Sequence, residues 1–222
     1  CGNIAALLSA HQSIGVPQPL LMYGTEEQKQ TYLPKFSAGE VSAFALTEDG
    51  VGSDPAQMKT VAEPDANGDY ILNGEKLWCT NGVKASTIIV MARTPDNKKG
   101  KKQITAFIVE MDMPGVEIVT RCRFMGLKAL YNGVVRFKDV HIPKKNIILG
   151  EGKGMRVALN TLNIGRLTLP AICVGAAKEC LRISRRWTST RSQWGQEIGK
   201  HQALADKLAR MAGDVYAMDA MV

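Results

Sequence analysis

The spacing of apolar residues divides the chain into three zones. Residues 1 to about 39 have the three-to-four-residue period of amphipathic helices, which is already present in residues 1–13. Residues 41 to about 146 hold short β-branched runs instead, and helical spacing returns from Met155. This order predicts an α+β fold with a β-domain inserted between two parts of a helical bundle. We place the three domains at residues 1–40, 41–150 and 151–222.

Local signals predict where individual helices begin and end. Thr25, followed three residues later by Gln28, is typical of a capping box, and Pro34 is expected to end that helix. A second C-terminal helix is predicted from about Lys200 onward. Because the chain opens at Cys1 rather than Met, and its last residues keep helical periodicity, we expect an internal piece of a longer protein.

The middle zone consists of short predicted strands separated by turn signals. The strands are expected at residues 70–72, 87–92, 104–109, 116–120 and 134–140. The turns are expected at residues 67–69 (NGD), 73–74 (NG) and 95–97 (PDN). Many short strands with frequent turns are typical of an antiparallel β-sandwich or barrel rather than a βαβ sheet.

Composition and charge narrow the class of protein. The chain has 222 residues, 45% of them hydrophobic and 22% charged, which is enough for a packed core. No apolar run is expected to span a bilayer, and no signal peptide is visible. The net charge of +7 has two interpretations. It arises in part from a predicted hairpin tip with Lys98, Lys99, Lys101 and Lys102, or it serves to attract an anionic ligand. No nucleic-acid-binding motif accompanies it.

Two apparent motifs carry little functional information. The five cysteines show no CxxC spacing, and the three histidines are far apart, so we expect no metal site and reduced cysteines, several of them buried, in an intracellular protein. Gly150, Gly152 and Gly154 form GxGxG, but this spacing differs from the GxGxxG dinucleotide motif. We interpret it as a connection between a strand and a helix.

Two segments of the strand zone have the residues of a ligand site. Residues 45–54 (ALTEDGVGSD) combine the hydroxyls of Thr47 and Ser53 with glycines that let main-chain N–H groups approach a polar ligand. In residues 74–82 (GEKLWCTNG), Trp78 and Thr80 alternate along a strand, so both are expected on one face. An aromatic ring beside a hydroxyl suits a planar heterocycle, whereas the alternative is a surface cross-strand pair.

Two further motifs lie in the C-terminal zone. Residues 162–167 (LNIGRL) include Arg166, and residues 191–202 (RSQWGQEIGKHQ) include Arg191 and Trp194 ahead of a predicted helix. By themselves these residues have ordinary explanations. Arg191 is equally a solvated helix-end charge, Trp194 a core residue, and Ser53 a turn hydroxyl.

Together these segments resemble the acyl-CoA dehydrogenase family. The resemblance covers essentially the whole chain, in the family's order, and rests on residues 22–34 (MYGTEEQKQTYLP), 45–54, 74–82, 126–143 (GLKALYNGVVRFKDVHIP), 165–181 (GRLTLPAICVGAAKECL) and 191–212 (RSQWGQEIGKHQALADKLARMA). It implies an N-terminal helical domain, a middle β-domain and a C-terminal four-helix domain, assembled as a homodimer or homotetramer.

The resemblance also implies FAD as cofactor. Residues 44–53 would wrap the flavin and its ribityl chain, with Thr47 near the flavin N5, Trp78 on the ring face and Thr80 as a second hydroxyl. Arg191 would reach the pyrophosphate of an FAD in a neighbouring subunit. The implied cofactor-binding residues are Phe44, Ala45, Leu46, Thr47, Gly52, Ser53, Trp78, Cys79, Thr80, Arg191, Trp194, His201 and Gln202.

The implied reaction is α,β-dehydrogenation of an acyl-CoA thioester in fatty acid β-oxidation. A carboxylate removes the α-proton, the β-hydride goes to flavin N5, and electrons pass to electron-transferring flavoprotein. Ser53 and Arg166 match positions near CoA. The resemblance further implies no nucleic-acid partner, no integral membrane segment, and a location in the bacterial cytoplasm or mitochondrial matrix.

The family's catalytic glutamate is not found among these residues. The usual position lies beyond Val222, and the position used by one branch of the family is Gly165 here, so the chain alone is expected to be inactive. Glu48 is not nominated as the base. The loop at residues 130–132 is more apolar than in many relatives, which leaves its contacts with CoA open. The acyl chain-length preference also stays open. An acyl-CoA oxidase, a flavin-dependent monooxygenase and a non-catalytic module remain alternatives.

Overall fold

The computed structural model describes residues 7–8, 10–96, 100 and 103–222. Three predicted features lie partly or wholly outside these residues. They are the helical period of residues 1–13, the end of the turn at 95–97, and the lysine cluster Lys98, Lys99, Lys101 and Lys102. The chain forms two compact units, one up to Gly165 and one from Arg166 onward.

The first unit combines short helices with a sheet. A π-helical turn (Ala10–Ile14) precedes helices α1 (Pro17–Tyr23) and α2 (Glu26–Ser37). The strands are β1 (Ser42–Ala45), β2 (Val61–Pro64), β3 (Tyr70–Cys79), β4 (Thr87–Thr94), β5 (Gln103–Glu110), β6 (Val116–Arg121), β7 (Gly133–Ile142) and β8 (Ile147–Ile148). Single 3-10 turns lie at Pro55–Gln57 and Lys144–Asn146.

The predicted capping box of α2 is confirmed, but its predicted end is wrong. The Gln28 N–H donates to Thr25 Oγ1 (3.2 Å), and the Thr25 N–H donates to Gln28 Oε1 (3.0 Å). The helix continues through Pro34 to Ser37. A proline removes one main-chain donor, whereas the next turn buries Phe36 in the core, and this packing outweighs the local penalty.

The strands join in one sheet with the order β6-β7-β3-β2-β4-β5-β8, and β1 pairs with β4. All five predicted strands are present, which confirms the α+β class. Most pairs are antiparallel, but β1 and β2 run parallel to β4, contrary to the purely antiparallel prediction. Periodicity predicts which residues are extended and contains no information on the direction in which two distant strands pair.

The two faces of strand β4 pack in two different hydrophobic clusters. Ile88 and Val90 of β4 pack with residues of β3 and β7, such as Leu72 and Phe137, in one cluster. The alternate residue Ile89 packs with α1 and α2 in the other cluster. The β3–β7 half of the sheet therefore faces the β4–β5 half, and the helices cover the opposite side of β4 and β5.

The predicted turn at Asn73 and Gly74 is wrong, because both residues lie inside β3 at a register shift against β7. Gly74 has φ 148°, and a Cβ there would lie 2.7 Å from the Thr60 Cα. The Asn73 side chain is used across the sheet, since its Nδ2 donates to Asp139 Oδ1 (3.0 Å) and its Oδ1 accepts from the Asp139 N–H (2.9 Å). The Asn-Gly pair forms a β-bulge, which sequence alone does not distinguish from a hairpin turn.

Gly74→Ala is expected to lower the free energy of unfolding by about 1–3 kcal/mol, because the new methyl group meets the Thr60 main chain. Gly126→Ala is the matched control, since a Cβ there meets nothing within 4 Å. Urea unfolding of the two variants measures the difference. Equal losses for both would contradict the close approach of β3 to Thr60.

The second C-terminal helix begins close to its predicted start. The elements after β8 are α3 (Gly154–Thr188), a small hairpin of β9 (Ser192–Gln193) and β10 (Gln196–Glu197), a 3-10 turn (Ile198–Lys200) and α4 (Gln202–Met221). Gly150 and Gly152 connect β8 to α3, as predicted. Because β8 pairs antiparallel with β5, this glycine segment belongs to no βαβ unit.

Within the described residues, α3 is long and apolar enough to cross a membrane by length and composition, with a mean hydropathy of 1.3 over 18 residues. The expectation that no apolar run spans a bilayer stays a prediction. One such helix is weak evidence for a membrane span, because helices packed in a protein core share this composition.

The prediction that several cysteines are buried needs a correction. The four described cysteines are unpaired, but only Cys79 is buried.

Candidate functional site

The two motifs of the strand zone lie side by side in the first unit. The Leu77 N–H donates to the Thr47 carbonyl (2.8 Å), and the Cys79 thiol lies 3.6 Å from the Phe44 carbonyl that it faces. Between these contacts, Lys76 Nζ donates to Glu48 Oε1 (2.7 Å). The end of β3 therefore runs along residues 44–48 in the opposite direction, which brings together segments that are about thirty residues apart in sequence.

Lys76 and Glu48 form a buried ion pair, with side chains 0% and 5% exposed. Glu48 also accepts the N–H groups of Lys59 (2.5 Å) and Thr60 (3.1 Å). Burial opposes ionisation of this carboxyl, but the hydrogen bond and charge of Lys76 together with the main-chain donors hold its pKa below its usual value. Burial lowers the pKa of Lys76, and Glu48 opposes that effect.

The lowered pKa of Glu48 makes stability depend on pH. The ionised carboxylate contributes stability in full above about pH 4.5, its unfolded pKa, and this contribution is lost as pH falls through the lower folded-state pKa. We expect the urea midpoint of the wild type to fall more steeply below about pH 4.5 than that of Glu48→Gln. Parallel midpoint curves for the two proteins would contradict this assignment.

Trp78 has a strained backbone and an exposed ring. Its φ is 54°, which is unusual for a bulky residue, and its side chain is 55% exposed. A register shift between Lys76 and Cys79 marks a bulge there, and β3 ends at Cys79. The prediction that Trp78 and Thr80 alternate along one regular strand is therefore wrong. Strain of this kind persists where surrounding contacts enforce it, and it is frequent at ligand sites.

Several polar groups beside this bulge have no hydrogen-bond partner among the described residues. Across the described residues, no hydrogen bond involves the hydroxyls of Thr47, Ser53 or Thr80, or the indole N–H of Trp78. Thr47 and Thr80 are half-buried, and Ser53 is exposed. Accessible, unpartnered hydroxyls next to an exposed aromatic ring suit a flat ligand with hydrogen-bonding edges.

The other residues predicted in this segment are placed in different ways. Phe44 and Leu46 are half-buried and pack against the second hydrophobic cluster, whereas Ala45 is buried. Burial raises the pKa of the Cys79 thiol to about 12. The Ala45 and Cys79 side chains therefore face the core, and only their main chains are available to a ligand. Gly52 is exposed, and a Cβ there would meet nothing within 4 Å.

The RSQWG motif lies in the second unit around the small hairpin. Trp194 has φ 52° and is 87% exposed, so its interpretation as a core residue is wrong for the described chain. Its ring contacts His201 edge to face, with centroids 5.7 Å apart. His201 Nε2 donates to the Gln193 carbonyl (3.2 Å), and its Nδ1 accepts from Gln196 Nε2 (3.1 Å). His201 thus holds the hairpin that presents Trp194.

Arg191 is exposed and precedes this hairpin. Its guanidinium lies 5.9 Å from the Trp187 ring, and no carboxylate pairs with it among the described residues. Gln202 is exposed at the start of α4. Arg166 is an exposed residue of α3 in the same unit, whereas Ser53 belongs to the first unit.

The structure also brings together a group that the sequence did not predict. Ligand atoms of Asp65, Asp69 and His141 lie within 4.8 Å of one another. Asp65 Oδ1 accepts the N–H groups of Asn67 and Asp69, and His141 Nε2 lies 3.4 Å from Asp65 and 3.3 Å from Asp69. These contacts explain the group as a turn next to a histidine of β7, and the expectation of no metal site stays a prediction.

Sequence models of the acyl-CoA dehydrogenase family match nearly all of the chain. The N-terminal domain matches residues 1–40, the middle domain residues 43–140 and the C-terminal domain residues 152–222. With the α+β fold and the paired motifs in place, the chain belongs to the acyl-CoA dehydrogenase family.

Individual relatives agree with this assignment. The probable acyl-CoA dehydrogenase FadE10 of Mycobacterium tuberculosis is 52% identical over 99% of this chain, which spans 34% of that protein. An acyl-CoA dehydrogenase from Bacillus anthracis, complexed with FAD, is 40% identical with a TM-score of 0.89 over 98% of this chain and 37% of its own. The prolyl acyl carrier protein oxidase AnaB is 33% identical with a TM-score of 0.92, over 99% of this chain and 57% of its own.

Proposed function

We propose that this chain binds FAD and forms part of an enzyme that oxidises acyl-CoA thioesters between their α and β carbons in fatty acid β-oxidation. The main observation behind the proposal is that hydrogen bonds connect residues 44–48 to the end of β3. This contact places the free hydroxyls of Thr47 and Thr80 near the exposed ring of Trp78. These donors fit FAD, whose ring is planar and has hydrogen-bond acceptors along its edges. When bound, FAD supplies the hydride acceptor.

The chain's own groups would bind and orient the cofactor. The Thr47 and Thr80 hydroxyls would donate to acceptors of the ring, the Trp78 side chain would stack on it, and main-chain N–H groups of residues 44–53 would lie beside it. Their fixed N–H dipoles would stabilise negative charge on the ring, as in an oxyanion hole. In a neighbouring subunit's site, Arg191 would bind phosphate, with Trp194, His201 and Gln202 at the border.

Glu48, which directly follows Thr47, does not suit removal of the substrate α-proton. It is buried, accepts two main-chain N–H groups and is paired with Lys76. Its pKa is lowered by these contacts, which makes it a weak base. The position that one branch of the family uses for its base is Gly165 here, which has no side chain. We propose that residues outside 1–222 supply the base.

For the substrate and partners, the proposal follows the family. CoA is a polyanion, and the net charge of +7 together with Arg166 favours its binding, with Ser53 as a further contact. The enzyme assembles as a homodimer or homotetramer and passes electrons to electron-transferring flavoprotein. Matched relatives come from bacteria and from mitochondria, so either the bacterial cytoplasm or the mitochondrial matrix suits it.

The test is the visible absorbance of the purified protein. We expect a flavin band that bleaches under anaerobic conditions when acyl-CoA is added to protein that includes the proposed base, while residues 1–222 alone keep their band. Bleaching of FAD bound to residues 1–222 would overturn the assignment of the base. Protein without any flavin band, even after incubation with FAD, would overturn the proposal itself.

An acyl thioester oxidase is the second candidate, because AnaB is an oxidase with the same fold. The two activities differ in how the reduced enzyme reacts with oxygen. Reduced protein that stays bleached in air until electron-transferring flavoprotein is added indicates a dehydrogenase. Fast reoxidation with formation of peroxide indicates an oxidase.

A further inference from the structure

Two neighbouring residues of β3 hold three consecutive residues of the proposed flavin loop. Lys76 Nζ donates to the Leu46 carbonyl (3.2 Å) and to Glu48 Oε1 (2.7 Å), which are the residues on either side of Thr47. The Leu77 N–H donates to the Thr47 carbonyl (2.8 Å). The main chain of Thr47 is therefore fixed at its own carbonyl and at both neighbours.

Glu48 extends this arrangement to the rest of the loop. Its carboxylate accepts the N–H groups of Lys59 (2.5 Å) and Thr60 (3.1 Å), at the far end of the glycine-bearing segment. Its main chain exchanges hydrogen bonds with Val51, at 3.1 Å and 3.0 Å. One carboxylate thus closes the segment that includes Gly52 and Ser53, and it connects that segment to β3 through Lys76.

The location of the pair argues for a role beyond stability. Burying two charges costs desolvation, and packed apolar side chains of similar volume often stabilise a fold as well or better. No apolar pair, however, could donate to the Leu46 carbonyl and accept the N–H groups of Lys59 and Thr60. These are main-chain groups of the same segment that presents the Thr47 and Ser53 hydroxyls.

We propose that Lys76 and Glu48 are positioning residues for the proposed FAD site. Neither side chain reaches the ligand, since both are buried. They act through the main chain of residues 46–48 and the closure of the following loop, which together set where Thr47, Ser53 and the loop N–H groups lie. This inference rests on the proposed function.

The test compares two double variants of the purified protein. Lys76→Met with Glu48→Gln removes both buried charges together, so neither is left unpaired. The matched control is Arg136→Met with Glu75→Gln, which removes an ion pair of the same sheet whose side chains are 45% exposed. For each protein, the thermal midpoint without FAD, the dissociation constant for FAD and the visible circular dichroism of bound flavin are measured.

We expect the buried-pair variant to bind FAD about tenfold more weakly or worse, as for loss of one or two hydrogen bonds to the ligand. Its flavin dichroism should change shape, and its apoprotein should melt close to the wild type. The control variant should match the wild type in all three measurements. A changed melting temperature with unchanged FAD affinity and dichroism would show a merely structural role and overturn the inference.

Two outcomes separate this inference from the proposed function. A wild type that binds no FAD overturns the proposed function, whereas a wild type and buried-pair variant with equal affinity and dichroism overturn only the positioning role. If the double variant does not fold, Glu48→Gln alone is measured. Glutamine has one oxygen, whereas the carboxylate accepts from Lys59 at Oε2 and from Thr60 and Lys76 at Oε1, so this variant loses at least one of the contacts. Unchanged affinity and dichroism in that variant overturn the inference in the same way.

Discussion

Lys76→Met is expected to lower the free energy of unfolding by about 3–5 kcal/mol, the usual cost of removing one partner from a buried ion pair. The substitution keeps most of the side-chain volume but leaves the Glu48 carboxylate without its counterion, in surroundings where it is 5% exposed. The Leu46 carbonyl loses its donor as well. Denaturant unfolding of the apoprotein near neutral pH gives the difference directly.

Two comparisons decide whether the buried charge causes that loss. Lys29→Met removes a half-buried partner of Glu26, whose carboxylate is 80% exposed and stays solvated, and it should change stability by less than about 1 kcal/mol. Adding Glu48→Gln to Lys76→Met should restore much of the stability, because the unpaired charge is gone. A loss below about 1 kcal/mol for Lys76→Met would show that water solvates the pair and would contradict its burial.

Arg191→Ala is expected to weaken FAD binding at least thirtyfold, corresponding to about 2 kcal/mol or more for truncating one partner of a hydrogen-bonded charge pair. Arg191 is exposed and has no carboxylate partner in the described chain, so its guanidinium is available to phosphate. Titration of apoprotein with FAD, followed by flavin fluorescence, measures the affinity.

Arg185→Ala is the matched control for Arg191. It lies near the end of α3 in the same unit, also without a carboxylate partner among the described residues, and it has no proposed contact with FAD. Removing it changes the net charge by the same amount as Arg191→Ala. Equal weakening by the two variants would show a general electrostatic effect and contradict a specific contact. Arg191→Lys should recover part of the affinity, because lysine keeps the charge but not the bidentate geometry.

Local features of the fold follow well from the sequence. The capping box of Thr25 and Gln28 is correct because both partners lie within one helical turn. The five predicted strands are correct because β-branched runs and turn residues are also local signals. Errors occur where a distant contact overrides a local preference. Pro34 stays inside α2 because Phe36 is buried, and Asn73 pairs with Asp139 of β7 instead of forming a turn.

The candidate site shows the same division between local and distant information. Thr47, Ser53, Trp78 and Thr80 stand out as residue types suited to a ligand, and the structure brings Thr47 next to the end of β3. Sequence reasoning missed Lys76 as a partner of Glu48, since an isolated lysine in a strand is normally solvated. The available signal was the alternation of buried positions along β3, which places Lys76 in line with Tyr70 and Leu72.

Residue types, their order and their local spacing determined the α+β class, most helices and strands, and the family resemblance of this chain. Only the tertiary structure decided that Lys76 and Glu48 are paired and buried, that β1 and β2 run parallel to β4, and that Trp78 is exposed on a left-handed bulge. The physical reason is the distance along the sequence over which each interaction acts. Capping, turns and periodicity depend on residues within a few positions, whereas pairing and burial depend on which distant segments exclude water together.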